Sequence, residues 1–228
     1  MSATNPAKSL DLRLYAIVDP EQSAACAELA RRAVLGGATV IQLRDKNSTT
    51  RAMIGRAQEI KASLALLTRP GAAFLINDRV DVALATGAHG VHLGQDDMGA
   101  ADARRLLGPA AIIGLSVKTI GEAAAAPLDE LDYVGIGGVF ATTSKDNPGA
   151  PIGAAGLARV IEALRARAPD FPVCAIAGIS EKNAAEVIAA GADGVAVISA
   201  LAKAPDPEAA ARELCRIVDA ALCAHGRK

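Results

Sequence analysis

The sequence predicts an α/β fold, a single (βα)8 barrel over residues 1–228, and three observations carry that prediction. Short β-branched runs alternate with Ala-rich stretches of helical length, the pattern of parallel βα units. Eight such runs can be read, and a chain of 228 residues is of the size that one barrel needs. "GGATVIQLR", "TGAHGVHLG" and "AGADGVAVI" repeat one turn, in which a Gly ends a helix with left-handed backbone and an Ala leads into the next strand. An open doubly wound sheet alternates in the same way, but no G-x-G-x-x-G follows the first strand, which weakens a dinucleotide-binding reading.

Strands are expected over residues 12–19, 39–44, 73–77, 90–94, 111–116, 133–136, 173–177 and 194–198. Helical segments fall between them, for example over 24–35, 49–67 and 154–168, and a last one over about 207–223 follows the eighth strand. Residues 1–11 read as an N-terminal extension. Residues 137–153 hold four Gly, two Pro, three hydroxyl side chains and a Lys, long for a connection in a compact barrel; a mobile active-site loop carrying Lys145 is the functional reading, and an ordinary surface loop is the plain alternative.

Composition narrows the function. Hydrophobic residues make up 51% and aromatics 2%, so the core is built from Ala, Val, Leu and Ile. A net charge of -1 argues against general nucleic-acid binding. No run approaches the ~20 apolar residues of a membrane span, and "MSATNPAKSLDLRLY" lacks the apolar region of a signal peptide, so a cytoplasmic protein is expected. Cys26, Cys174, Cys215 and Cys223 match no zinc or redox spacing and read as small buried or helix-face residues. His89 and His225 read as incidental, and His92, inside an apolar strand, as a core or supporting residue rather than a catalyst.

Active sites of such barrels form at the C-terminal ends of the strands. Strand two ends with Gln42, Arg44 and Lys46 at a spacing of two, which puts them on one strand face. Asn77 and Asp78 end strand three, Gln95, Asp96 and Asp97 follow strand four, and Ser116 ends strand five. Arg44, Lys46 and Lys145 are candidates to converge on an anion, since Arg grips phosphate bidentately and Lys acts as a point charge. Asp78 and Asp97 follow neighbouring strands, and two carboxylates beside cations fit a hard ion such as Mg²⁺, which takes one or two carboxylates plus waters and substrate phosphate. A rim salt-bridge network is the plain alternative. Gly178 after strand seven and Ser199 after strand eight, where a short helix could open, suggest a second anion site of a kind common in barrels, with ordinary turn chemistry as the plain alternative.

The pieces "QLRDK", "INDR", "GVHLGQDD", "GLSV", "ATTSK" and "GADGVAVISA", in that order from about residue 14 to 201, resemble thiamine phosphate synthase. The resemblance implies a TIM barrel and a transferase that joins hydroxymethylpyrimidine pyrophosphate to a thiazole phosphate, with Mg²⁺, by dissociative substitution. It implies that Arg44, Lys46, Asn77, Ser116 and Lys145 serve the pyrophosphate, that Arg44, Lys46, Ser116 and Lys145 act in catalysis, and that Gln42 serves the pyrimidine. Asp78 and Asp97 correspond to the metal ligands. Thr142, Ser144, Gly178, Ile198 and Ser199 lie at thiazole-phosphate positions. "AIAGI" stands where the family is richer in Gly, which puts Ala175 and Ala177 in question, and "QDD" replaces "QED" at Asp96. A homo-oligomer is compatible with this reading. Rival readings are the related thiazole tautomerase, which carries a His soon after the strand-five Ser where this chain has Val117 and Lys118, a Schiff-base aldolase using Lys46 or Lys145, and a phosphate-ligand sensor without turnover.

Overall fold

The computed structural model describes residues 10–67, 72–142, 144 and 150–227. Eight parallel strands close a barrel in chain order, each hydrogen-bonded to the next and β8 to β1. They are β1 (Leu14–Val18), β2 (Val40–Leu43), β3 (Ala73–Asn77), β4 (Gly90–Leu93), β5 (Ile112–Val117), β6 (Tyr133–Ile136), β7 (Val173–Ile176) and β8 (Gly194–Val197). The helices between and after them are α1 (Cys26–Leu35), α2 (Thr50–Ala65), α3 (Val80–Thr86), α4 (Ala100–Leu107), α5 (Ile120–Ala125), α6 (Gly153–Arg165), α7 (Ala184–Ala189), α8 (Ser199–Ala202) and α9 (Pro207–Ala224). All eight expected strands form, most of them shorter by a residue or more than the apolar runs that announced them. Among the described residues, no helix is long and apolar enough to cross a membrane.

Strand alternation divides the core in two. Outward residues such as Leu14, Ile41, Leu43, Phe74, Ile76, Val91 and Val134 meet the helices in one large cluster. Inward residues such as Tyr15, Ile17, Val40, Leu75, Tyr133, Cys174 and Ala196 fill the barrel in a second, smaller one. The helices supply matching faces. In α2, Met53, Ala57 and Ile60 are buried at helical spacing, and the Thr49 hydroxyl accepts from the Ala52 N–H at its start. In α9, Ala211, Leu214, Val218 and Leu222 are buried, behind an Asp206 cap and Pro207 in the first turn.

The N-terminal end of the barrel is closed by a repeated polar device. His89, Asp132 and Asp193 each stand one residue before an even-numbered strand. Each donates its N–H to a carbonyl of the preceding strand and accepts, through its side chain, the N–H of that same residue. The partners are Phe74, Ile113 and Val173, with side-chain bonds of 2.8 Å in each case. Strand starts otherwise leave such N–H groups unpaired. His89, read from the sequence as incidental, is therefore a structural plug. The Gly-Ala turns before β2, β4 and β8 hold positive φ at Gly37, Gly87 and Gly191 (113°, 58° and 112°), as the repeat requires.

Asp193 also binds Arg165. Asp193→Ala should strand the buried Val173 N–H and lower stability by about 1–3 kcal/mol, read by urea unfolding. An unchanged midpoint would mean that the plug contributes nothing.

Candidate active site

A cavity of about 410 Å³ opens at the C-terminal ends of the strands. Gln42, Arg44, Lys46, Asn77, Asp78, Asp97, Ser116, Thr142, Ser144, Gly178, Ile198 and Ser199 all line it, so these sequence-predicted site residues come together. Asp96 and Ala177 line it as well. Lys145, and with it the centre of the 137–153 loop, lies outside the described residues. The described stem of that loop is hydrogen-bonded in place. Val139 and Phe140 donate to the carbonyls of Ile176 and Ala177, and Ile152 and Gly153 donate back to Gly138 and Val139.

The parity of β2 sorts the run Arg44-Asp45-Lys46. Asp45 turns to the helix side, where Arg56 of α2 and the Ser48 N–H hold its carboxylate. Arg44 turns into the mouth and is paired with Asp19 at the end of β1, whose side chain is 2% exposed against 13% for Arg44. Lys46 pairs with Asp78 in a more open setting. Asp19 was not legible as a site residue, because its only mark is an acidic residue ending an apolar run.

Asp78 and Asp97 face one another across the β3 and β4 ends. Burial and the Asp97 carboxylate push the Asp78 pKa up, against the pull of Lys46. Asp78 also holds a φ of 62°, costly for a residue with a Cβ, and the Gly94 N–H fixes Asp97 at 2.7 Å. Two facing carboxylates, Asp78 and Asp97, beside Arg44 and Lys46 on the wall of this cavity fit a divalent cation. Among the described residues, no group of three or more His, Cys, Asp or Glu could hold a metal. An ion held by Asp78 and Asp97 alone would take most of its coordination shell from water and substrate, a pattern that suits Mg²⁺.

The opposite wall has a different character. Ala177 (φ 93°) and Gly178 (φ 65°) turn the chain after β7, and a Cβ on Gly178 would collide with Phe140 and Ala141 of the loop stem. Ser144 Oγ is buried and has no hydrogen-bond partner among the described residues, while the Ser144 N–H is held by Thr142 Oγ1. An orphaned hydroxyl on a cavity wall is a group that a ligand oxygen would satisfy. Ser199 opens α8. The floor is polar: His92 bonds both Ser116 and Tyr133, and Tyr133 leads through Tyr15 to Gln42. Gln95, Lys118 and Glu122 also line the cavity, with Gln95 Nε2 donating to the Ser116 carbonyl at 2.6 Å.

The family model for thiamine monophosphate synthase matches residues 14–201, most of the chain and all of the described cavity wall. The chain belongs to that family. It is 49% identical over 215 residues to the thiamine-phosphate synthase of Agrobacterium fabrum, covering 93% of this chain and 96% of the relative. It is also 49% identical to the Xanthobacter autotrophicus enzyme of that name, covering 94% and 99%. The solved thiamine phosphate pyrophosphorylase of Pyrococcus furiosus superposes with a TM-score of 0.80 at 40% identity, covering 93% of this chain and 98% of that one. The family explains why polar groups gather at successive strand ends.

Asp19→Asn keeps the acceptor for the Glu21 N–H but removes the charge that orients Arg44. Turnover should fall about tenfold, since a neutral partner holds a guanidinium roughly half as strongly, with an unchanged thermal midpoint. Wild-type turnover would show that Arg44 needs no partner.

Proposed function

We propose that the protein is a thiamine-phosphate synthase. It transfers an aminopyrimidine-methyl group from its pyrophosphate to the ring nitrogen of a thiazole phosphate, and releases thiamine phosphate and pyrophosphate. The observation that carries this reading is one cavity with two unlike walls. Arg44, Lys46, Asp78 and Asp97 form the charged side, and the β7 and β8 ends with Ser144 and Ser199 form the neutral, hydrogen-bonding side.

Pyrophosphate leaves only if its growing charge is stabilised. Arg44, held by Asp19, offers fixed N–H donors, and Lys46 adds a mobile charge. A Mg²⁺ ion at Asp78 and Asp97 would supply the remaining positive charge to the pyrophosphate oxygens. Asn77 borders the same side and would orient the leaving group, while Ser116 lines the cavity at its floor, tied to His92. Departure leaves a cation on the pyrimidine methylene, stabilised by the electron-rich ring. The thiazole nitrogen already carries a lone pair, so no protein base need activate it. This agrees with a site whose one lining histidine, His92, is tied by both ring nitrogens to Ser116 and Tyr133. Thr142, Ser144, Gly178, Ile198 and Ser199 would receive the thiazole phosphate, and Lys145 would close on the pyrophosphate from the loop.

The test is purified protein with both substrates, with and without Mg²⁺, and thiamine phosphate detected by mass. Product should form only with the metal. Asp97→Asn should fold, melt at or slightly above the wild-type temperature for lack of carboxylate repulsion, and lose both turnover and the Mg²⁺-plus-pyrophosphate thermal shift. Retained turnover with the same magnesium dependence in the Asn variants of both Asp78 and Asp97 would remove the metal assignment.

A further inference from the structure

The floor of the cavity holds a continuous run of five polar side chains from four strands and the end of β5. Gln42 Nε2 donates to Tyr15 Oη at 2.6 Å, and Tyr15 Oη lies 2.9 Å from Tyr133 Oη. Tyr133 Oη lies 2.8 Å from His92 Nδ1, and His92 Nε2 lies 2.8 Å from Ser116 Oγ. The two ends, Gln42 and Ser116, line the cavity, whereas both tyrosines are buried beneath it. Barrel interiors are ordinarily filled by branched apolar side chains. Here the strands give up side chains to make room: a Cβ on Gly114 would collide with the Tyr133 ring, and one on Gly135 with the His92 ring. Strand glycines weaken a sheet, so the run is built at a cost. The His92 and Tyr133 rings are stacked, with centroids 5.5 Å apart.

We propose that Tyr15, Tyr133 and His92 are positioning residues that tie the amide of Gln42 to the hydroxyl of Ser116, fixing which end offers an acceptor and which a donor to the substrate's aminopyrimidine. This rests on the functional reading above.

Proton counting forces the coupling. Burial pushes both phenols well above their ordinary pKa, so each keeps its one proton. An amide nitrogen can only donate. Tyr15 therefore accepts from Gln42 and spends its proton on Tyr133. Tyr133 spends its own on His92 Nδ1. The imidazole proton then sits on Nε2 and goes to Ser116 Oγ. Two groups are left for the cavity, the Gln42 carbonyl as acceptor and the Ser116 O–H as donor. Turning the amide over reverses every bond and exchanges the two offers. With a neutral imidazole, any mixed arrangement sets two donors or two acceptors against each other. An aminopyrimidine presents an amino donor and a ring-nitrogen acceptor, which suits the first order. The oxo analogue presents the inverse pair and demands the second.

The measurement is the ratio of kcat/KM for the aminopyrimidine pyrophosphate to that for its oxo analogue, in wild type, Tyr15→Phe, Tyr133→Phe and the double variant. Each single change should lower the ratio about tenfold, the scale of one buried hydrogen bond. The double variant should lose no more than either single one, because a chain cut once is already cut. Additive losses, or an unchanged ratio, would overturn the proposal. Imidazole ¹⁵N shifts of His92 in the wild-type protein provide a reading that needs no variant and no turnover. The Nε2–H tautomer is expected, and a proton on Nδ1 contradicts the chain. If wild type fails to turn over the aminopyrimidine, the functional reading falls, while the tautomer still decides the chain.

Discussion

Closure of eight parallel strands into one hydrogen-bonded ring gives every strand residue a fixed side, inward or outward, with no edge at which the register can slip. In β2 this parity puts Ile41 and Leu43 against the helices and aims Gln42 and, past the strand end, Arg44 and Lys46 along the interior face. A slip of one residue would drive the guanidinium into the helix layer and leave Ile41 and Leu43 in the cavity. Asp45 shows what the helix side demands of a charge, since it is nearly buried there and is answered by Arg56 from α2.

The site concentrates features that a stable core would avoid. Asp78 and Ala177 hold positive φ on opposite walls, one beside the carboxylate pair and the other at the turn that receives the loop stem. Asp78 carries a raised pKa because water is partly excluded and Asp97 is close. Glycines inside β5 and β6 make space for aromatic rings instead of packing branched side chains. The outer cluster between strands and helices offsets these costs, with dozens of aliphatic side chains at or near full burial. Stability and chemistry are thus held on opposite faces of the same strands.

Much of this was legible in the sequence. Strand count, Gly-Ala turns and the polar residues at successive strand ends follow from local spacing alone. What was not legible depends on contacts between distant parts of the chain. Tyr15 and Tyr133 are 118 positions apart and touch only because β1 and β6 face one another across the barrel. Their one sequence signal was indirect: aromatic residues are rare in this chain, and Gly114 and Gly135 sit inside strands where glycine is unfavourable. Asp19 and His89 were passed over because a lone polar residue at a strand end or start says nothing of its partner. Their partners, Arg44 and the Phe74 N–H, come from the adjoining strands.

On the proposed reading, β2 parity and the paired carboxylates together make one pyrophosphate site at the mouth. A crystal structure with pyrophosphate and Mg²⁺ tests it most directly. Pyrophosphate oxygens should contact Arg44 and Lys46, with the metal between Asp78 and Asp97 and the Lys46–Asp78 pair opened to admit it. Pyrophosphate bound only at the β7 and β8 ends, with Asp78 still paired to Lys46, would contradict the account.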